Sequence, residues 1–467
     1  MNSGGSSKVF HRHDIPDWQP FALAGVEGSA VFSLASNIAV SIGDRLKEPA
    51  NVEAAVVEAQ TQSNLVNAPQ WSAYGFAQGY AGLAILFGQL DRCFPKDGWE
   101  ATAHTHLLLA VEGAATSHRV LHGAFSGIAG VLFSAKYLSN GGTRYRRLTA
   151  ALEENLASQI SDLVAEIRTY DAGIPVGLVD VISGASGVAA AIVDCDLASS
   201  IGEQLLDLVS VLIWLSENEN GLPRAHCPSQ FMHPSDTMSK LFPFGFVNVG
   251  LAHGVPGLLG SLALAHLRGI RLDGLNDAIA RVTDWIIASN VEDNWGINWP
   301  TGVGLTLSND PTGAPSPTGQ ASPSRAGWCY GSPGVARALY LAGLALGESE
   351  YLECAVGAIE AVARRPTTAR YLESPTFCHG KAGLLHVLLR FANDTASKEI
   401  ASSAYALLED LISCYEQSSL LGFRSVELGG KKVDQPGLLD GAPGVALVLL
   451  AASSTLDPSW DRLFLMS

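Results

Sequence analysis

The chain has 467 residues, 47% of them hydrophobic and 16% charged, with 29 Lys and Arg against 45 Asp and Glu for a net charge of −16. That apolar content excludes wholesale disorder, and the negative charge, with no basic stripe anywhere, excludes an electrostatic nucleic-acid binder. Residues 1–20 lack the apolar core of a secretory signal, and the most apolar run, 445–452, is too short to span a bilayer.

Taken in chain order, residues 1–20 read as a polar, flexible tail. From residue 21 to 467 one short word recurs, Gly-x-x-Gly followed by an apolar run. It begins at Gly79, Gly127, Gly184, Gly254, Gly331, Gly380 and Gly441, at intervals of 48 to 77 residues. A fixed repeat of this kind outranks any single motif. Each word suits a tight entry into a helix where backbones approach closely. The run after it is apolar on nearly all sides, as in a buried helix. Between words the pattern is amphipathic. Leu275, Ala278, Ile279, Val282, Trp285 and Ile286 share one helical face, with Asp277 and Arg281 opposite. Each repeat therefore reads as an outer helix, a turn and an inner helix. No β alternation is sustained across the repeats. The expected fold is all-α, a single-domain α/α toroid of seven outer/inner helix pairs. An open solenoid is the alternative, but the last repeat ends in an apolar helix rather than a polar cap. Two stretches break the pattern. Residues 217–246 are irregular and lead to His253. Residues 296–327 are rich in Pro, Gly, Ser and Thr, and a loop that long reads as a lid or substrate wall.

The residue before each word is polar: Gln78, Ser126, Ser183, His253, Tyr330, His379 and Asp440. If every word opens an inner helix at the same end, these side chains rim one mouth, where helix N-termini converge. N-capping is the competing reading for Ser126, Ser183 and Asp440. Cys329, Cys378 and His379 stand at shared register in adjacent repeats. Two thiols and an imidazole form a zinc-type donor set, and three protein ligands leave a fourth position open, as in catalytic sites. The other five cysteines, Cys93, Cys195, Cys227, Cys354 and Cys414, read as buried small hydrophobes. An odd, scattered seven fits a reducing cytoplasm.

At Leu251-Ala252-His253-Gly254, Trp328-Cys329-Tyr330-Gly331 and Cys378-His379-Gly380, with the glycine words, the chain resembles the lanthipeptide cyclase family, LanC and LanC-like proteins. The resemblance implies an α/α toroid with one zinc at its mouth, held by Cys329, Cys378 and His379. It implies His253, Asp180, Arg325 and Tyr330 as the active-site histidine, aspartate, arginine and tyrosine. The implied reaction is thioether formation: a peptide cysteine adds to the β-carbon of dehydroalanine or dehydrobutyrine. The partner implied is a dehydrated precursor peptide with its leader. The pathway's dehydratase and transporter are candidate contacts, with membrane association only through such a complex. With no dehydratase or kinase region before the toroid, the free-standing bacterial type is expected. Three alternatives stand beside this. A LanC-like enzyme that adds glutathione or another small thiol would share the zinc set. A binding scaffold with structural zinc would show a fourth protein ligand. A glycosidase on the same toroid would need a carboxylate pair, for which Asp180 and Asp440 are the only rim candidates.

Overall fold

The computed structural model describes residues 17–22, 25, 28–64, 70–118, 120–219, 221–234, 236–306, 316–317, 322–427 and 429–467. Each glycine word opens a helix. The seven inner helices are Tyr80–Cys93, Ile128–Tyr137, Ala185–Ile192, Val255–Leu267, Ser332–Leu346, Lys381–Thr395 and Ala442–Ser453. Nearly every residue of Val255–Leu267 and Ala442–Ser453 is buried, which is what an all-apolar helix requires. The outer helices are Ser29–Leu46, Trp99–Thr116, Arg146–Ile167, Ser200–Leu215, Leu275–Ala288, Ser349–Arg364 and Lys398–Ser413. In Leu275–Ala288 the buried stripe is Leu275, Ala278, Ile279, Val282, Thr283 and Ile286, with Trp285 half-buried at its edge. No helix among the described residues is long and apolar enough to cross a membrane.

The fold is an α/α toroid in which each inner helix packs on the next and the last packs on the first. The pairing differs in one respect from the order read in the sequence. Among the inner helices, each outer helix packs most closely on the one before it, and Ser29–Leu46 packs on the last, Ala442–Ser453. Loop length is the reason. Inner helices reach their outer partners through two to eight residues, while the return connections run from 11 to 43. Short links force antiparallel neighbours, so the long links all gather at the mouth.

Two features set the spacing there. The second glycine of each word sits where an added Cβ would meet the carbonyl oxygen six residues earlier, at 2.1 Å for Gly82, 2.2 Å for Gly334 and 2.0 Å for Gly383. The same Cβ would also press on a side chain of the preceding repeat, such as Leu251 at Gly334 or Trp328 at Gly383, and at Gly82 this neighbour is Leu438 of the last repeat. Backbone hydrogen bonds run around the ring at the position two before each word, except that in the third repeat the donor is Val181, one place earlier. Ala77 donates to Phe125, Phe125 to Ile182, Val181 to Ala252, Ala252 to Cys329, Cys329 to Cys378, Cys378 to Leu439, and Leu439 back to Ala77.

The bottom of the lumen is filled by the C-terminal segment. Trp460, Leu463, Phe464, Leu465 and Met466 are fully buried. The Phe464 ring meets Phe76, Phe125, Trp328 and Phe377, and the Trp328 indole N–H donates to the Phe464 carbonyl at 3.0 Å. Asp461, buried below it, accepts from His386 and Arg390 at 2.6 Å each. Of the tail expected over 1–20, residues 1–16 lie outside the described residues. Trp18 is buried and donates to the Ala451 carbonyl at 2.8 Å.

Strands are confined to the long connections. Cys227–Pro228, Gly245–Asn248, Gly302–Thr306 and Ser316–Pro317 form a four-stranded antiparallel sheet at the mouth. Its register places Phe246 opposite Gly304.

Candidate functional site

The residues before the glycine words rim one mouth. N-capping does not account for Ser126, Ser183 or Asp440: in all three repeats the cap position is the glycine itself, with no side-chain cap bond. The polar residue stands one place earlier. The Ser126 and Ser183 hydroxyls instead meet each other at 3.1 Å.

Cys329, Cys378 and His379 come together with their ligand atoms all within 4.8 Å of one another, and no other Cys, His, Asp or Glu among the described residues joins the group. The hydrogen-bond ring explains the meeting. Cys329 and Cys378 are consecutive members of it, joined by the Cys329 N–H to the Cys378 carbonyl at 3.1 Å. His379 follows in sequence on the mouth side. Zinc–ligand bonds of about 2.0–2.3 Å put tetrahedral donor atoms roughly 3.3–3.8 Å apart, so small side-chain rotations bring this group onto one ion. The donor set and its closeness fit a zinc-type cation. The hydrogen bond from Cys378 holds the Cys329 thiol well below the usual thiol range despite burial, helped by His379 and Arg325.

Asp180 and His253 form a second group beside it. One carboxylate oxygen of Asp180 accepts the Ser183 and Gly184 backbone N–H groups at 2.7 and 3.0 Å. The other lies 2.6 Å from His253 Nδ1. Asp180 is buried, while His253 keeps 38% of its side chain exposed toward the mouth. Burial disfavours the imidazolium, yet the bond to Asp180, its charge and that of Cys329 outweigh this, and the His253 pKa is raised. With Nδ1 held by Asp180, Nε2 is the nitrogen left for a ligand.

Tyr330 packs beside His253 with ring centroids 6.3 Å apart, and its hydroxyl accepts from Asn248 Nδ2 at 3.0 Å. Burial pushes its pKa above the ordinary phenol range, so it stays a proton-bearing donor. Arg325 is exposed at the mouth, and its charge is felt by Cys329, Cys378 and His379. It therefore sits on the metal-ligand side. Its carbonyl turns under Gly331, whose φ of +96° and 1.6 Å clearance for a Cβ admit only glycine.

A cavity of about 270 Å³ opens on His253 and Tyr330. Its other walls are Pro175, Val176 and Gly177 from the third connection, Cys227, Phe231, Met232, Asp236, Met238 and Phe246 from the irregular stretch 217–246, and Asn248. None of these was singled out residue by residue in the sequence. The absence of any period in 217–246, just before His253, was the available signal. The expected lid at 296–327 is described only in part. Its strand Gly302–Thr306 pairs with Gly245–Asn248 and so adjoins the cavity wall; the rest of the expected lid, 307–315 and 318–321, lies outside the described residues.

Comparison with known proteins places this geometry. The family model described as lanthionine synthetase C-like protein matches residues 70–465. The nisin biosynthesis protein NisC of Lactococcus lactis subsp. lactis is 23% identical over 329 residues, covering 69% of this chain and 75% of NisC. The solved structure of nisin cyclase superposes with a TM-score of 0.71 at 22% identity, covering 90% of this chain and 97% of that one.

Proposed function

This chain belongs to the lanthionine synthetase C-like family, and from that premise we propose that it is a zinc-dependent lanthipeptide cyclase, closing lanthionine and methyllanthionine rings in a dehydrated precursor peptide. The observation that carries the reading is the convergence of Cys329, Cys378 and His379, with no fourth protein ligand among the described residues, beside a hydrogen-bonded Asp180–His253 pair. These three residues would hold a zinc ion, which would supply Lewis acidity that makes a substrate thiolate available near neutral pH.

The remaining chemistry belongs to the chain. The peptide sulfur bonds to the β-carbon of dehydroalanine or dehydrobutyrine, and the double-bond electrons move to the Cα–carbonyl unit as an enolate. Tyr330 and Arg325 supply hydrogen bonds to the enolate oxygen. His253, kept protonated by Asp180, gives a proton from Nε2 to Cα. The proton lost from sulfur is matched by the one gained at carbon, so closure leaves the peptide mass unchanged. The apolar side of the cavity, Val176, Phe231, Met232, Met238 and Phe246, takes an apolar part of the peptide next to the acceptor carbon, while Asp236 and Asn248 offer it polar contacts. The strand Gly302–Thr306 adjoins that wall through its pairing with Gly245–Asn248. All seven cysteines are unpaired, in keeping with a reducing compartment.

The test is metal and ring analysis of Cys329→Ala and Cys378→Ala. Each variant should fall from one zinc per chain to well below it and lose ring closure, scored by thiol alkylation and by ring topology in fragment spectra. Uncatalysed thiol addition makes topology the deciding readout. Correct rings formed without bound metal would refute the mechanism.

A further inference from the structure

Asp440 belongs to the same polar rim, one repeat beyond His379, yet the mechanism above gives it no task. Its oxygen Oδ1 lies 3.8 Å from His379 Nδ1. That oxygen is buried and has no hydrogen-bond partner among the described residues. On its far side, Gln78 is 7% exposed, and its amide nitrogen is likewise buried and unpartnered. The Gln78 amide oxygen fills the space over Gly437, where an added Cβ would lie 1.8 Å away. Gln78 is thus wedged against the loop that carries Asp440. A buried carboxylate oxygen with nothing to accept is costly, and such an atom calls for an explanation. Besides the Gln78 side chain, which also acts on this carboxylate, the donor that faces it is the His379 imidazole nitrogen at 3.8 Å, beyond normal hydrogen-bond distance.

We propose that Asp440 is a positioning residue for the metal centre, accepting the His379 Nδ1–H so that the ring is fixed with Nε2 toward the cation, with Gln78 packed behind it. The proposal rests on the zinc reading above. The physical reason is the one that applies to ligating histidines generally: the second ring nitrogen donates to a carboxylate or carbonyl, which sets the tautomer and makes the ligand more basic. Cys329 and Cys378 are placed by the backbone ring, whereas His379 lies outside that ring and keeps 37% of its side chain exposed. It is the ligand that needs an orienting partner.

The experiment measures zinc affinity of the full chain by competition with a chromophoric chelator, for the parent, Asp440→Asn, Asp440→Ala, His379→Ala and the Asp440→Ala/His379→Ala double variant. Asp440→Ala should weaken zinc binding by about 10- to 100-fold. Asp440→Asn, which keeps an oxygen acceptor in the same shape, should weaken it less. In the His379→Ala background the Asp440 change should cost at most about twofold, because the ring it orients is gone. Cobalt substituted for zinc should keep its band positions in Asp440→Ala, since the ligand set is unchanged. Zinc affinity of Asp440→Ala within threefold of the parent would overturn the proposal, as would additive losses in the cycle. Loss of a cobalt ligand band would also overturn it, by making Asp440 a ligand itself. Should Asp440→Ala fail to fold, the cycle is run with the isosteric Asn. A parent that binds no zinc would sink the functional reading instead, so the two failures are told apart.

Discussion

Asp180→Asn isolates the proton-delivery arm of the mechanism. The carboxylate makes three short hydrogen bonds, two from the Ser183 and Gly184 N–H groups to one oxygen and one at 2.6 Å with His253 through the other. An asparagine can keep its amide oxygen on the two backbone donors, so the loop survives at a cost of about 1 kcal/mol. Its NH2 then faces His253 Nδ1, and both the acceptor and the negative charge are lost. A hydrogen bond to a charged group is worth about 1.5–3 kcal/mol, so kcat/KM for ring closure should fall about 10- to 150-fold. Zinc content should stay at the parent level, because no Asp180 atom belongs to the metal-ligand group.

The pH profile carries a sign as well. Asp180 raises the His253 pKa, so a step that needs imidazolium persists to higher pH in the parent and fades as pH rises through the folded pKa. Removing the carboxylate should move that falling limb to lower pH. The assay follows free thiol in a dehydrated precursor peptide over a pH series, with ring topology scored at the endpoint. A variant that closes correct rings at the parent rate across the series would refute the role of the pair, and one that loses zinc would show that Asp180 serves the metal site instead.

Two further outcomes concern the plug. Phe464→Ala removes a fully buried ring touching five aromatic neighbours and should cost about 3–5 kcal/mol in chemical denaturation; a loss under 1 kcal/mol would mean the segment is not packed in the lumen. Burial lowers the His386 pKa, partly offset by Asp461, so the unfolded chain takes up a proton near pH 6.5 that the folded chain refuses. Stability should therefore fall as pH drops from 7 to 5, by up to about 1.4 kcal/mol per pH unit from this group. His386→Gln should flatten that slope, and an unchanged slope would remove His386 as its source.

The functional register was readable because its causes are local. A glycine that must clear a carbonyl six residues earlier cannot be replaced without a clash, so the word recurs wherever an inner helix begins. Counting back from it put Cys329, Cys378 and His379 at equivalent places. The same count, without coordinates, left capping open as the competing reading for Ser126, Ser183 and Asp440, because it could not say whether the cap was the glycine or the residue before it.

What the amino-acid order determined by itself is the set of inner helices, their shared starting signal and the zinc-type donors at matched positions. Each follows from sterics and chemistry within a few residues. Tertiary structure alone decided that Ser29–Leu46 closes the toroid against Ala442–Ser453, that residues 459–466 fill the lumen, and that 227–246 wall the cavity at His253. Those contacts join segments far apart in the chain and leave no period to read. They are selected by which buried surfaces fit once the ring has formed, and that fit exists only in three dimensions.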